Sequence, residues 1–368
     1  MAQSRLHQLA DYGQSVWIDF LSRDLLRSGE LARRMREDAV VGVTSNPTIF
    51  QKALSSGSAY DEQLREVLEE ERDPKEVFLR LAVKDVSDAL DLLRPVWDGG
   101  GGRDGYVSIE VDPTLAYETK ATIEEAQRLH DWIDRPNLFV KIPATEPGLP
   151  AIEEMISRGR SINVTLIFSL DRYAEVADSY IRGLERLVES GGDPTKVASV
   201  ASFFVSRVDT EADRRLDEVG GHEELNGKLA VANAKLAYQR YKEIFAGERW
   251  DALAAKGATP QRCLWASTST KNPAYRDVLY VEELIGPMTV NTMPEETIEA
   301  FQDHGKVGPT LEEAIAEAER VFDEIRKAGI DYADVTDTLE REGVQKFSDS
   351  FAELLEGIRA KSGELAAA

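Results

Sequence analysis

Lys141 stands inside NLFVKIPAT (137–145), with Phe139 and Val140 before it and Ile142 after it. Such neighbours are what a strand buried on both faces carries. A lysine there has three readings. Its stem can lie along apolar surface while the ammonium reaches water at a strand end. It can be structural, paired with a carboxylate such as Asp19 or Glu110. Or its burial is its purpose: shielding from water disfavours the charged form, and a neutral amine attacks a carbonyl to form a Schiff base.

Other polar residues occupy the ends of apolar runs. Asp19 ends SVWIDF, and Thr44, Ser45 and Asn46 end AVVGVTSN. Glu110 is late in YVSIEVD, and Asn163 and Thr165 lie in INVTLIFS. Ser202 and then Arg207 close VASVASFFV, while Ser267 and Ser269 close CLWASTS, with Lys271 following. Any one of them has a plain explanation as a turn or helix cap, Asn46 before Pro47 being an example. Asn163 and Thr165 share parity and point to one side of a sheet. A whole set at one mouth is costly to bury unless its members pair with each other or with a ligand.

The chemistry of this set is narrow. His7, His130, His222 and His304 all fall in helical segments or turns, outside it. No His/Cys/carboxylate cluster has metal-ligand spacing, and no G-x-S-x-G elbow is present. Cys263, the only cysteine, sits in the apolar run CLWAS and reads as a small core residue. What remains is one lysine, two carboxylates, hydroxyls and amides, with cations further along.

The elements that must position these residues repeat. Eight short apolar runs, 15–20, 39–46, 106–112, 138–144, 162–169, 197–205, 263–269 and 288–294, alternate with segments of helical spacing such as LAYETKATIEEAQRLHDWI. Strand alternating with helix predicts a parallel sheet, and eight units predict a (β/α)8 barrel, an α/β fold, with a doubly wound open sheet as the runner-up. A barrel of this kind carries its site at the C-terminal strand ends, where the polar set lies. One domain over residues 1–368 is expected, with helical insertions at about 51–105 and 208–260 and a helical C-terminal tail. In the tail, Val344, Phe347, Phe351, Leu354, Leu355 and Ile358 share one helical face and should pack on the barrel. The glycines of DGGGGRDG (98–105) fit G-x-G-x-x-G by accident, because they follow a helical segment and precede a strand; a flexible loop is expected.

The chain of 368 residues carries 67 acidic against 44 basic residues, a net charge of −23. That balance argues against nucleic acid as a partner, although local cations could still hold an anionic substrate. The N-terminus lacks an apolar signal region, and no run is long enough to span a membrane. A cytoplasmic protein with no membrane partner is the expectation. Nothing fixes the oligomeric state; a homodimer is allowed.

Six motifs in order, TSNPT (44–48), SIEVDP (108–113), FVKIPAT (139–145), INVTLIFS (162–169), SFFVSRVD (202–209) and WASTSTKNP (265–273), resemble the transaldolase family. LYVEELIGPMTVNTMP (279–294) resembles its long bacterial form. The resemblance implies a (β/α)8 barrel, phosphorylated sugar substrates, and neither metal nor organic cofactor. It implies transfer of a dihydroxyacetone unit from sedoheptulose 7-phosphate to glyceraldehyde 3-phosphate, giving erythrose 4-phosphate and fructose 6-phosphate, in the non-oxidative pentose phosphate pathway. By the same resemblance Lys141 is the Schiff-base lysine. Glu110 shuttles protons through a water held with Thr165, and Asp19 takes the C4 hydroxyl proton. Asn46, Asn163 and Ser202 hold the dihydroxyacetone hydroxyls, Phe204 walls the site, and Arg207 and Ser267 bind phosphate.

The chain departs from the family pattern at Ser269, where better-known members carry an arginine; Lys271 is expected to supply the second phosphate cation, as a point charge rather than a fork. A fructose 6-phosphate aldolase, the nearest rival, is shorter and carries glutamine and tyrosine in place of Glu110 and Phe204. A non-catalytic sugar-phosphate binding barrel would be expected to have lost the lysine or a carboxylate.

Overall fold

The computed structural model describes residues 4–55 and 57–367. Eight parallel strands, β1 (Gln14–Ile18), β2 (Val40–Val43), β3 (Val107–Glu110), β4 (Leu138–Pro143), β5 (Ile162–Ile167), β6 (Ser199–Phe204), β7 (Arg262–Ala266) and β8 (Thr289–Met293), close in sequence order. The ring shuts where Val16 of β1 pairs with Asn291 of β8. The open-sheet alternative is therefore excluded.

Each expected strand is present but shorter than its apolar run. Asp19, Thr44, Ser45, Asn46, Ser267 and Ser269 lie just past strand ends, and Arg207 sits in the first turn of the helix Ser206–Val219. A polar residue at the end of an apolar run marks the point where the ladder stops and the chain turns over the barrel mouth.

The register matters most. Glu110 of β3 pairs with Lys141 of β4, and Lys141 pairs with Asn163 of β5. Residues in parallel register point to the same face, so the three side chains form one row. The next inward position of β5, Thr165, is level with Pro143 of β4. Beyond it Leu166 takes φ 60° and the pairing with β6 shifts.

The far end of the barrel is plugged. Trp17 is fully buried and fits because Gly42 has no side chain; a Cβ there would stand 2.5 Å from the indole ring. Tyr106 and Phe139 stack beneath it at 4.1 Å. Asp104 accepts hydrogen bonds from Trp17 Nε1 (3.1 Å) and Ser15 Oγ (2.7 Å) and pairs with Arg262 at 3.0 Å. The glycine run is thus not simply a flexible loop: it delivers Asp104 as a stopper. A cleft of about 550 Å³ lies outside this end, lined by Trp97, His130 and Arg160 among others, and holds none of the polar set.

The first insertion forms the helices Asp61–Glu70 and Pro74–Gly99, and the second forms Leu229–Ile244 and Glu248–Ala254. The C-terminal helix, Tyr332–Ala367, lies across the barrel mouth on the helix Pro47–Ser55. Thr48 Oγ1 donates to Ser350 Oγ at 2.8 Å. Phe347, Phe351, Leu354 and Ile358 are buried as the helical spacing required, and Phe351 meets Phe78 edge-on at 5.7 Å. Among the described residues no helix is long and apolar enough to cross a membrane.

Candidate active site

Lys141 Nζ lies inside the barrel, 3.3 Å from Glu110 Oε2, and donates to the carbonyl of Ser45 at 3.2 Å. Lys141 is 4% exposed and Glu110 8%. The lysine does not snorkel to water at a strand end. Burial raises the Glu110 carboxyl above its usual range, and the Lys141 charge pulls it part of the way back. Neither oxygen of Glu110 has a protein hydrogen-bond partner, nor has Thr165 Oγ1, although both side chains are buried. A buried polar atom left unpaired by protein calls for an explanation, a bound water or ligand being one; here three such atoms lie on the strands flanking Lys141.

A hydroxyl and amide chain continues around the wall. Asn163 Nδ2 donates to Ser108 Oγ at 3.0 Å, and Ser202 Oγ donates to Asn163 Oδ1 at 2.7 Å. These bonds fix which way the Asn163 amide faces. Ser45 Oγ donates to the carbonyl of Ser108 at 2.7 Å, which holds the Ser45 backbone over Lys141.

Asp19 sits at the rim. Thr44 Oγ1 donates to Asp19 Oδ1 at 2.6 Å and lies 2.6 Å from Thr292 Oγ1. Burial raises the Asp19 carboxyl, opposed first by the charge of Lys141 and then by the Thr44 hydrogen bond. The Lys141 charge thus acts against burial on both carboxyls, Glu110 and Asp19. Asn46 Oδ1 accepts from Ile49 N at 3.0 Å and caps the helix that follows; the plain reading of this residue holds for its oxygen.

On the opposite side of the mouth the Arg207 guanidinium lies 5.1 Å over the Phe204 ring and 5.9 Å over Phe347. Burial lowers the Arg207 pKa, while Asp19 and Glu110 work to raise it. Ser267, at φ 57°, brings its Oγ to 2.9 Å from Ser206 Oγ beside Arg207. Lys271 Nζ donates to Ser269 Oγ at 2.6 Å. Burial, and Arg207 among its neighbours, lower the Lys271 pKa.

The structure brings all the sequence-selected residues to one mouth. Sequence reasoning did not select Ser108, Thr292, Lys52 and Lys346. The first two are polar residues within strands, a signal present in the runs themselves. Lys52 and Lys346 stand on exposed turns of the two covering helices. Their charges reach the mouth: Arg207 first, then burial, Lys271 and Lys52 lower the Lys346 pKa. A chain of net charge −23 thus gathers four cations at one opening.

A family model described as transaldolase/fructose-6-phosphate aldolase matches residues 16–358. The chain belongs to the transaldolase/fructose-6-phosphate aldolase family. Curated relatives named transaldolase agree with it. One from Frankia alni is 54% identical, covering 97% of each chain. One from Acidothermus cellulolyticus is 54% identical over 96% of this chain and 95% of the relative. One from Mycolicibacterium paratuberculosis is 52% identical over 97% of each. The family's barrel is the fold seen here, and matches of this length leave no large part of the chain outside it.

Proposed function

We propose that this chain is a transaldolase that works through a Schiff base on Lys141. The observation that carries the reading is the buried row Glu110–Lys141–Asn163, with Lys141 Nζ 3.3 Å from a carboxylate to which no other protein group donates. The relatives' shared name, transaldolase, supports the same activity.

The amine attacks the C2 carbonyl of a ketose phosphate. The carbinolamine loses its hydroxyl as water after Glu110 supplies a proton, through a water also held by Thr165. The carboxyl's raised pKa suits this acid role. Asp19 then removes the proton from the C4 hydroxyl. The C3–C4 bond breaks, its electron pair enters the protonated imine as an enamine, and an aldose phosphate leaves. An acceptor aldehyde reverses these steps. Asn163 and Ser202, already locked to each other, hold the three-carbon unit, with Asn46 offering its amide N–H. Arg207, Ser267 and Lys271 hold the phosphate of donor and acceptor alike.

Borohydride trapping with fructose 6-phosphate followed by peptide mapping tests this. A three-carbon adduct on the peptide carrying Lys141 supports it. Folded protein that gives no adduct defeats it. Dependence of product formation on an aldehyde acceptor separates transfer from aldolase release.

A further inference from the structure

Two carboxylates one turn apart on the helix Ser206–Val219 are bonded in the same pattern. Asp209 Oδ1 accepts from Ala230 N at 2.7 Å, and its Oδ2 accepts from the Tyr280 hydroxyl at 2.8 Å. Asp213 Oδ1 accepts from Gly227 N at 2.9 Å, and its Oδ2 accepts from the Tyr275 hydroxyl at 2.5 Å. Each carboxylate therefore takes one backbone N–H from the second insertion and one phenol from the segment after β7.

Those three pieces of chain include the phosphate side of the mouth. The helix begins with Ser206 and Arg207. The segment after β7 carries Ser267, Ser269 and Lys271 and then Tyr275 and Tyr280. Its near end is tied directly, since Ser206 N donates to the Ser267 carbonyl at 3.0 Å. Its far end is tied through the tyrosines and the helix Leu279–Glu283 on which Tyr280 sits, and also to the end of the helix Glu295–His304, where Arg276 Nη2 donates to the His304 carbonyl at 2.9 Å and Asp277 Oδ1 lies 2.8 Å from His304 Nε2. Lys271 stands between the two ties.

The pattern is built rather than incidental. Asp209 and Tyr280 are each 1% exposed. A buried carboxylate holds its place only when its lone pairs are met, and both are met by donors from elsewhere in the chain. Gly227 has φ 75°, and a Cβ there would stand 2.8 Å from Tyr275 Cζ. The insertion must approach that ring as backbone alone.

We propose that Asp209 and Asp213, through Tyr280 and Tyr275, are positioning residues that set the separation of Lys271 and Ser269 from Arg207, and with it the affinity for the phosphate end of the substrate. None of the four is among the residues assigned to hold substrate. The inference rests on reading Arg207, Ser267 and Lys271 as phosphate ligands, and it gives the second insertion a role: Gly227 and Ala230 brace the carboxylates from behind.

The test uses Tyr275→Phe, with Gly227→Ala as an independent route to the same contact. The readouts are KM and kcat for fructose 6-phosphate, the inhibition constant of inorganic phosphate, and borohydride trapping of Lys141 with unphosphorylated dihydroxyacetone. Losing one hydrogen bond at the clamp should raise KM and the phosphate constant together by about three- to ten-fold. kcat and trapping with dihydroxyacetone should stay at the wild-type level. Unchanged KM and phosphate constant in both variants overturn the proposal, as does an equal loss of trapping with dihydroxyacetone, which would mark a general structural role. Arg207→Lys is measured in parallel. If it raises both constants while the other two variants do not, only the positioning role fails. If it too leaves both constants unchanged, the phosphate assignment falls and the proposal with it.

Discussion

Lys141 Nζ and Glu110 Oε2 stand 3.3 Å apart on paired positions of neighbouring strands, in a barrel interior from which each exposes less than a tenth of its surface. Burial raises the Glu110 carboxyl against the pull of the Lys141 charge, a direction that suits it to pass a proton at the step that expels water. Glu110→Gln keeps the shape and removes the proton. It should lower kcat by about 10²- to 10⁴-fold, the range for a lost general acid–base. The Lys141 adduct should still form, slowly, in borohydride trapping, with an unchanged circular dichroism spectrum. Near-wild-type turnover would show that the carboxyl only balances the lysine's charge.

Lys52 and Lys346 stand on the two covering helices, and their charges reach the mouth: Arg207, Lys271 and Lys52 act on Lys346, and Lys52 acts on Lys271. Both are exposed, so each should contribute little and be screened by salt. Lys346→Ala and Lys52→Ala should each raise KM for a phosphorylated acceptor by about two- to five-fold at low ionic strength. The difference should shrink in 0.5 M salt, about half the concentration at which the Debye length is ~3 Å. KM values that match wild type at low salt would place both lysines outside the substrate's field.

The sequence carried the barrel because its strands are buried on both faces and read as short apolar runs, and it carried most of the site because polar residues interrupt those runs. Lys141, Glu110 and Asn163 were legible in this way, yet their alignment as a row was not, since register is set by pairing between strands far apart in the chain. Lys52 and Lys346 were not legible at all. On an amphipathic helix an exposed lysine looks the same whether it faces bulk water or a substrate mouth, and only the docking of Tyr332–Ala367 on Pro47–Ser55 decides which. Asp104 was hidden for a related reason: a glycine run signals conformational freedom, and nothing local reveals that its end enters the barrel against Trp17 and Arg262.

Gly42 is where that closed end is most exposed to mutation. Its missing side chain is the space taken by Trp17, whose ring atoms would stand 2.5 to 2.6 Å from a Cβ. Trp17 cannot easily retreat, because its Nε1 is bonded to Asp104 and Tyr106 and Phe139 crowd its ring. Gly42→Ala should therefore destabilise by about 1–3 kcal/mol, as overpacked cores do. A urea titration should show the lower midpoint, while the residual folded enzyme keeps its trapping by fructose 6-phosphate. A midpoint equal to wild type would mean that the indole moves more freely than its contacts imply.

Asp209 offers a pH test of the clamp behind the phosphate site. Burial, despite bonds from Ala230 N and Tyr280, pushes its carboxyl up to about 7 in the folded protein, against 3.8 for an ordinary aspartate. Between those values the folded state holds a proton that the unfolded state has lost. Stability from this group is therefore greatest at low pH, falls as pH rises through that window by about 1.4 kcal/mol per unit, and levels off above about 7. Asp209→Asn removes the titration and leaves a side-chain oxygen that can still accept from Ala230 N. The stability of wild type relative to Asp209→Asn, measured by urea unfolding from pH 5 to 8.5, should decline to near neutrality and then hold steady. A difference that stays flat from pH 5 upward would show a carboxylate already ionised in the folded state, with the two donors fully offsetting its burial.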